Sequence, residues 1–434
     1  MKFFRRNAIS KSRSDDFSRF RTRTTEVVTT RGRFAWVWLG LVLLLGSFIT
    51  PAWAQEGGLE AQPEVDYVFG ERITFRVSFP SEISIAGVEV LFQANSDPTV
   101  VEPAVEVNGV WTYEHDVEAR YVRAYGTVAY WFRVTLTSGE TQETERFSFF
   151  YEDNRFVWQT LEGVPFRVHW NTGDTAFAQA VLDAARAGAQ QAGLILDTEF
   201  SESVDVYVYG QLTDYQFARD AMGPLWAGGH ADPEAGVIVV SLPPGENQAL
   251  EIERKIPHEV AHLLLYQAAG EGFWNLPAWL NEGFASTMER NPNPDYETLV
   301  DSAVQKGTLL PLETLCQPFP RDAAGAVLAY AESTLFIRYI QTRFGQEGIR
   351  AMVHAYANGA GCELGTNIEP IHLSLTQLEL EWREGPLAEN VTLTALRELA
   401  PWLVLLGAVV AGPLMVVMSI RKPKPVVAMN RATN

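Results

Sequence analysis

The sequence predicts a multidomain chain: an all-β sandwich over residues 55–154, an α+β domain with a helical C-terminal half over 155–386, and one transmembrane helix over 401–420. Three observations carry this. Apolar residues alternate with polar ones in short runs through the first third of the chain. From about Arg155 the pattern changes to apolar runs mixed with helical periodicity. Near the end, Trp402 to Ile420 holds no charged residue. At 434 residues the chain is also too long for one small domain.

Residues 1 to 33 carry ten Lys and Arg against three Asp and Glu, before an apolar run from Ala35 to Ile49 and the small-residue site Ala52-Trp53-Ala54. Together these features read as a secretory signal over 1–54, cleaved after Ala54. An uncleaved N-terminal anchor, or a start codon placed too early, fits the same residues. After a polar linker, Ile73, Phe75, Val77 and Phe79 alternate with Thr74, Arg76 and Ser78. Val128, Tyr130, Phe132, Val134 and Leu136 alternate less cleanly, because Trp131 joins Arg133 and Thr135 on the other face. Val88 to Phe92, Trp111 to His115 and Phe147 to Phe149 add strands, separated by turns such as Asn108-Gly109 and Ser138-Gly139. The architecture expected is an immunoglobulin-like or fibronectin-like sandwich, a module that usually spaces or binds.

In the second domain, Phe166 to Trp170 and Val204 to Tyr209 read as strands. Asp174 caps an Ala-rich amphipathic helix that runs to Gln191. A glycine-rich turn, Trp226-Ala227-Gly228-Gly229-His230, leads to the apolar run Gly236 to Ser241. Further on, Ala323 to Phe344 is a long periodic helix that ends at Gly345, followed by helical patterns at Gln346 to Ala357 and Leu375 to Trp382. Cys316 and Cys362, both on the exported part, predict a disulfide worth about 3 to 4 kcal/mol in the chain-entropy account.

The chemistry concentrates in Lys255-Ile256-Pro257-His258-Glu259-Val260-Ala261-His262. On a helix, His258 and His262 share one face and can bind one cation. Neutral imidazole suits Zn2+, and a catalytic zinc takes three protein ligands, which makes Glu282 in Trp279-Leu280-Asn281-Glu282-Gly283-Phe284-Ala285 the third candidate. Glu259 points about a hundred degrees away from His258 around the helix, which suits a group that touches metal-bound water and not the metal. Pro257 requires the helix to begin near Ile256 or to kink there. His115, His169, His354 and His372 read as structural. His230 is set apart, since its loop should approach the cleft.

The stretch from Phe166 to Trp382 resembles the gluzincin metallopeptidases, in particular the peptidase MA-like bacterial domains related to the aminopeptidase N and thermolysin groups. His258, Glu259 and His262, then Trp279 to Ala285, then Tyr330-Ala331-Glu332-Ser333 carry the resemblance. It implies a zincin-like fold, one zinc held by His258, His262 and Glu282, Glu259 as general base, and Tyr330 as a donor to the oxyanion. The interval from His262 to Glu282 is one residue longer than in the aminopeptidase N pattern, an insertion assigned to Gly270-Glu271-Gly272. By the same resemblance, Gly236 to Ser241 is the sheet edge along which a peptide lies, an ordinary buried strand being the other reading. Gly228-Gly229-His230-Ala231-Asp232 lacks the glutamate with which aminopeptidases hold a free amine, and this favours cleavage within peptides.

These features imply an extracellular zinc peptidase held at the cell membrane by a single C-terminal span. Residues 387–400 would be a juxtamembrane linker, and 421–434 a basic cytoplasmic tail by the positive-inside rule. The net charge of −19 leaves about −30 on the exported part, which opposes nucleic acid as a partner. A peptide or protein is the expected substrate. The competing reading is an inactive peptidase-like surface protein that binds or senses, with the sandwich as its working part.

Overall fold

The structure is a computed structural model and describes residues 59–221 and 229–420. The expected signal at 1–54, the start of the glycine-rich turn at 226–228 and the basic tail at 421–434 lie outside the described residues.

The N-terminal part is built from β1 (Gln62–Val68), β2 (Arg72–Ser78), β3 (Ile85–Ala94), β4 (Val100–Pro103), β5 (Val105–Val107), β6 (Val110–Asp116), β7 (Gly126–Leu136), β8 (Thr141–Glu143) and β9 (Phe147–Tyr151). One antiparallel sheet has the order β1-β2-β6-β5. The other has the order β4-β3-β7-β8, with β9 also on β7. Period-two alternation turns Ile73, Phe75 and Val77 inward, where they meet Val90, Phe92, Tyr130 and Phe132 of the other sheet. The Phe75 ring lies 5.0 Å from Phe92 and 5.3 Å from Tyr130. Trp131, on the opposite face, is covered by the Arg146 guanidinium at 4.1 Å from its ring.

The second part opens with β10 (Gln159–Gly163), β11 (Phe166–Trp170), α1 (Thr175–Leu196), β12 (Val204–Tyr209), α2 (Leu212–Ala221), β13 (Gly229–Asp232), β14 (Val237–Ser241) and α3 (Gln248–Ala269). Its sheet has the order β10-β11-β12-β14-β13. The three central strands are parallel, and each outer strand is antiparallel to its neighbour. Alternation divides this sheet between two cores. Val204, Val206, Val208, Ile238 and Val240 pack under α1 and α3, while Tyr207, Tyr209, Val237 and Val239 join the core of the N-terminal sheets. Tyr209 donates to Asp153 at 2.7 Å and its hydroxyl meets that of Tyr125, so polar links cross the same boundary. The N-terminal sheets are thereby fixed against the sheet that carries the site.

The edge of this sheet is β13 and not the run Gly236 to Ser241. Every residue of β14 is buried, and it lies between β12 and β13. Its unbroken Val-Ile-Val-Val run is the pattern of a strand covered on both faces. Gly-His-Ala-Asp, with polar residues in alternate places, is the pattern of an edge.

The remaining helices are α4 (Ala278–Met288), α5 (Tyr296–Lys306), α6 (Ala323–Ala357), α7 (Leu375–Glu384) and α8 (Val391–Ile420). α6 breaks at Gly345, where φ is 68°, and α7 starts in a capping box of Ser374 and Gln377. Cys316 and Cys362 form a disulfide across 46 residues. Val391–Val416 within α8 is long and apolar enough to cross a membrane, with a mean hydropathy of 2.1 and none of its apolar window buried. The helix starts well before Trp402 and runs through Pro401 and Pro413, so it takes in most of the segment expected as a linker.

Candidate functional site

α3 and α4 meet where the two motifs of the sequence lie. α3 runs continuously through Pro257, so the proline is accommodated inside the helix. Pro257 cannot bond the Glu253 carbonyl one turn back, and that carbonyl instead accepts from the Arg290 N–H at 2.9 Å, just beyond the end of α4. The proline thus frees an acceptor that ties α4 to α3. Trp279 is fully buried against Phe336 and Tyr356 of α6, at ring distances of 5.2 and 6.1 Å. A Cβ at Gly283 would stand 2.6 Å from the Ser333 carbonyl oxygen, so only glycine lets α4 lie this close to α6. That contact sets Glu282 beside Tyr330, about one turn from Ser333.

The donor atoms of His258, His262 and Glu282 lie within 4.8 Å of one another. Glu282 Oε2 is 3.5 Å from His258 Nε2 and 3.7 Å from His262 Nε2. Behind the imidazoles, His262 Nδ1 is 2.9 Å from Asn281 Oδ1 and His258 Nδ1 is 3.1 Å from Glu289 Oε1. Both partners are acceptors, so each Nδ1 carries the hydrogen, and in a neutral ring each Nε2 presents a lone pair toward Glu282. With both rings in that neutral state, three acceptors converge on one point. This donor set fits zinc, including the outer partners that fix ligand tautomers.

The electrostatics agree. Burial pulls the His258 imidazole down, but Glu282, Glu289 and the nearby Glu259 outweigh it and hold it up at about 10. Burial pushes the Glu282 carboxyl up, and the two histidines overcome this and hold it down at about 2. Positive charge is favoured at this point of the protein, and a divalent cation would supply it.

Glu259 is buried and its carboxyl is raised, chiefly by that burial. It lies under Gly229 of β13, where an added Cβ would come within 2.4 Å of Glu259 Oε1. Tyr330 is half-buried on α6, with its ring 6.4 Å from that of His258 and its hydroxyl interacting with Glu282. Burial and this carboxylate raise its phenol.

These groups line one cleft of about 410 Å3, together with His230, Ala231, Asp232, Phe273, Trp274 and, from the N-terminal part, Tyr121, Arg123 and Ala124. His230 stands in the cleft as expected, but on the edge strand β13 and not in a loop. Burial lowers its imidazole to about 4. His115 and His169 lie in strands elsewhere, held by the Arg120 carbonyl and by Asp205, each at 2.8 Å. A larger groove of about 700 Å3 on the N-terminal sheets is lined by Phe92, Pro98, Val100 and Tyr121 among others, and it contains no such ligand set.

The family model of the Peptidase MA superfamily matches residues 184–385. This part of the chain has a peptidase MA-like fold. The matched stretch contains all of α3, α4 and α6, so the peptidase MA-like region carries all three candidate ligands and both candidate catalytic residues. No curated protein matches the chain in sequence. Among solved structures, a bromine derivative of BhCBM56 is 18% identical over 21% of this chain and 98% of its own, at a TM-score of 0.18. A carbohydrate-binding module of family 56, a β-1,3-glucan binding domain, is 15% identical over 21% and 98%, at 0.17. A polysaccharide deacetylase from Bacillus cereus is 8% identical over 39% and 56%, at 0.19. Likenesses this slight decide nothing about fold or function.

Asn281 and Glu289 behind the histidines, Gly229 above Glu259, and Tyr121, Arg123 and Trp274 on the cleft walls were not singled out from the sequence. Asn281 adjoins Glu282, and Glu289 follows it by two helical turns, so a search for imidazole partners on the same helix would have found both.

Proposed function

We propose that the protein is a zinc-dependent peptidase, anchored at the membrane by its C-terminal helix with the catalytic part outside, that cleaves within polypeptides. The observation that carries this is the pair of imidazoles anchored at Nδ1 and turned on Glu282, with a buried carboxylate, Glu259, beside them. His258, His262 and Glu282 would hold zinc, which when bound acts as a Lewis acid that polarises a carbonyl and acidifies water.

The protein's own groups do the rest. Glu259 takes a proton from the attacking water and passes it to the nitrogen of the leaving amine, and its burial suits it to hold that proton in between. Tyr330 turns its hydroxyl toward the oxygen that gains charge, a type of donor worth about 3 kcal/mol. The outer edge of β13 offers main-chain groups to an extended substrate. The absence of a glutamate among Gly229, His230, Ala231 and Asp232 supports internal cleavage over removal of N-terminal residues.

The test is digestion of a peptide library by the full chain before and after chelation. Cleavage that stops on chelation and returns with zinc is the expected result. It should also be indifferent to N-acetylation of a cleaved peptide. Cleavage that survives complete removal of metal contradicts the reading, and loss on acetylation contradicts the internal preference.

A further inference from the structure

Two aromatic side chains stand exposed on the walls of the cleft, and they come from different parts of the chain. Tyr121, in the segment between β6 and β7, is 55% exposed, and Trp274, in the short helical turn Gly270–Asn275 between α3 and α4, is 64% exposed. Single exposed aromatics are ordinary. These two line the same cleft as Glu259 and the ligand set, and each has a rigid support.

Trp274 stands edge-on to Phe273 at 5.1 Å, and the buried Phe273 packs on Tyr266 of α3. The Tyr121 segment is held at both ends. The Arg120 carbonyl bonds His115 at 2.8 Å, and Arg123 reaches Glu234 at 2.5 Å, Asp232 at 3.7 Å and Asp97 at 3.8 Å. Asp232 belongs to β13, so Arg123 fastens the Tyr121 segment directly to the edge strand above Glu259. One guanidinium against three carboxylates leaves this rim negative, which disfavours an acidic side chain. Ala124, Ala231, Pro233 and Phe273 add apolar wall to the cleft, beside His230 and Asn281.

We propose that Tyr121 and Trp274 form a specificity subsite for a bulky apolar or aromatic side chain of the polypeptide substrate, with Arg123 as the positioning residue that holds its Tyr121 wall. This rests on reading the site as a peptidase and adds the class of side chain it selects. Aromatic walls supply broad contact area with little conformational freedom to lose, and apolar pockets of this type discriminate between side chains by roughly ten- to two-hundredfold.

The experiment uses the zinc-loaded full chain in detergent and one cleaved peptide in which a residue flanking the scissile bond is Phe, Leu, Ala, Lys or Glu. The parent should prefer Phe and Leu over Ala by about tenfold or more in kcat/KM. Tyr121→Ala and Trp274→Ala should each remove most of that preference by lowering kcat/KM for the Phe and Leu peptides more than for the Ala peptide, and Tyr121→Phe should keep it. Arg123→Ala should lower the preference as well, with zinc content retained. Calorimetric binding of the same peptides to the parent and to Glu259→Gln forms a second arm that needs no turnover. An unchanged Phe-to-Ala ratio in both alanine variants, or a parent preference for Lys, overturns the subsite alone. A parent that binds Phe peptides through these residues but cleaves none overturns the peptidase reading and leaves the subsite standing. A parent that neither cleaves nor binds overturns both.

Discussion

Two carboxylates on neighbouring helices show how position decides what the same group does. Glu259 lies beneath β13 with no room for a Cβ on Gly229, so the strand backbone fixes where its oxygens can be. Gly229→Ala should displace that carboxylate and lower kcat by about tenfold or more while zinc content holds; a parental kcat would show that the contact does not position Glu259. Glu332 is fully buried on α6, accepts one bond, from the Leu310 N–H at 3.0 Å, and is pushed up to about 8, chiefly by burial. Its folded value lies above its unfolded value near 4.5, so the stability it contributes is fully present below about pH 4.5 and is lost as pH rises through about 8. The zinc-loaded protein should therefore melt at lower temperature at pH 9 than at pH 6, and Glu332→Gln should flatten that fall. An identical pH profile in the variant would mean that Glu332 is not the titrating group. Neither behaviour was legible in the sequence, where Glu332 served only as part of a motif, because burial is a property of the packed molecule.

At the scale of elements, the site is an agreement between α3, α4 and β13. Pro257 is the local conflict in α3 that links it to α4. With its N–H missing, the Glu253 carbonyl turns to Arg290, and the adjoining Glu289 then meets His258. Pro257→Ala restores a competing donor for that carbonyl. It should weaken zinc binding by roughly tenfold with helix content unchanged, as loss of an outer partner of a ligand does, and a parental zinc affinity would break this link. The three clustered side chains, His258, His262 and Glu282, were legible because two lie one helical turn apart and the third sits in a short motif of its own. The outer partners were less so, since a partner is identified only once two helices are docked. The sheet edge was misplaced for the same reason: strand order is set by packing across the sheet, and β14 precedes the α3 helix in sequence without lying at the edge. Its unbroken apolar run carried the better signal.

At the scale of the molecule, the N-terminal sheets and the peptidase MA-like region share a core through Tyr207, Tyr209, Val237 and Val239, and the first part lends Tyr121 and Arg123 to the cleft of the second. The strands of the first part were readable from alternation; their place over the cleft was not, because it depends on aromatic packing between residues some eighty positions apart, such as Tyr125 and Tyr207. The central claim concerns the whole assembly, a zinc centre with Glu259 as its proton acceptor. It is tested most directly by Glu259→Gln in the full chain, with metal content and peptide hydrolysis measured on the same preparation. The account predicts about one zinc per chain, as in the parent, and hydrolysis reduced by on the order of a hundredfold or more, because the amide cannot take the proton of the attacking water. Undiminished hydrolysis in that variant, at full zinc content, would contradict it.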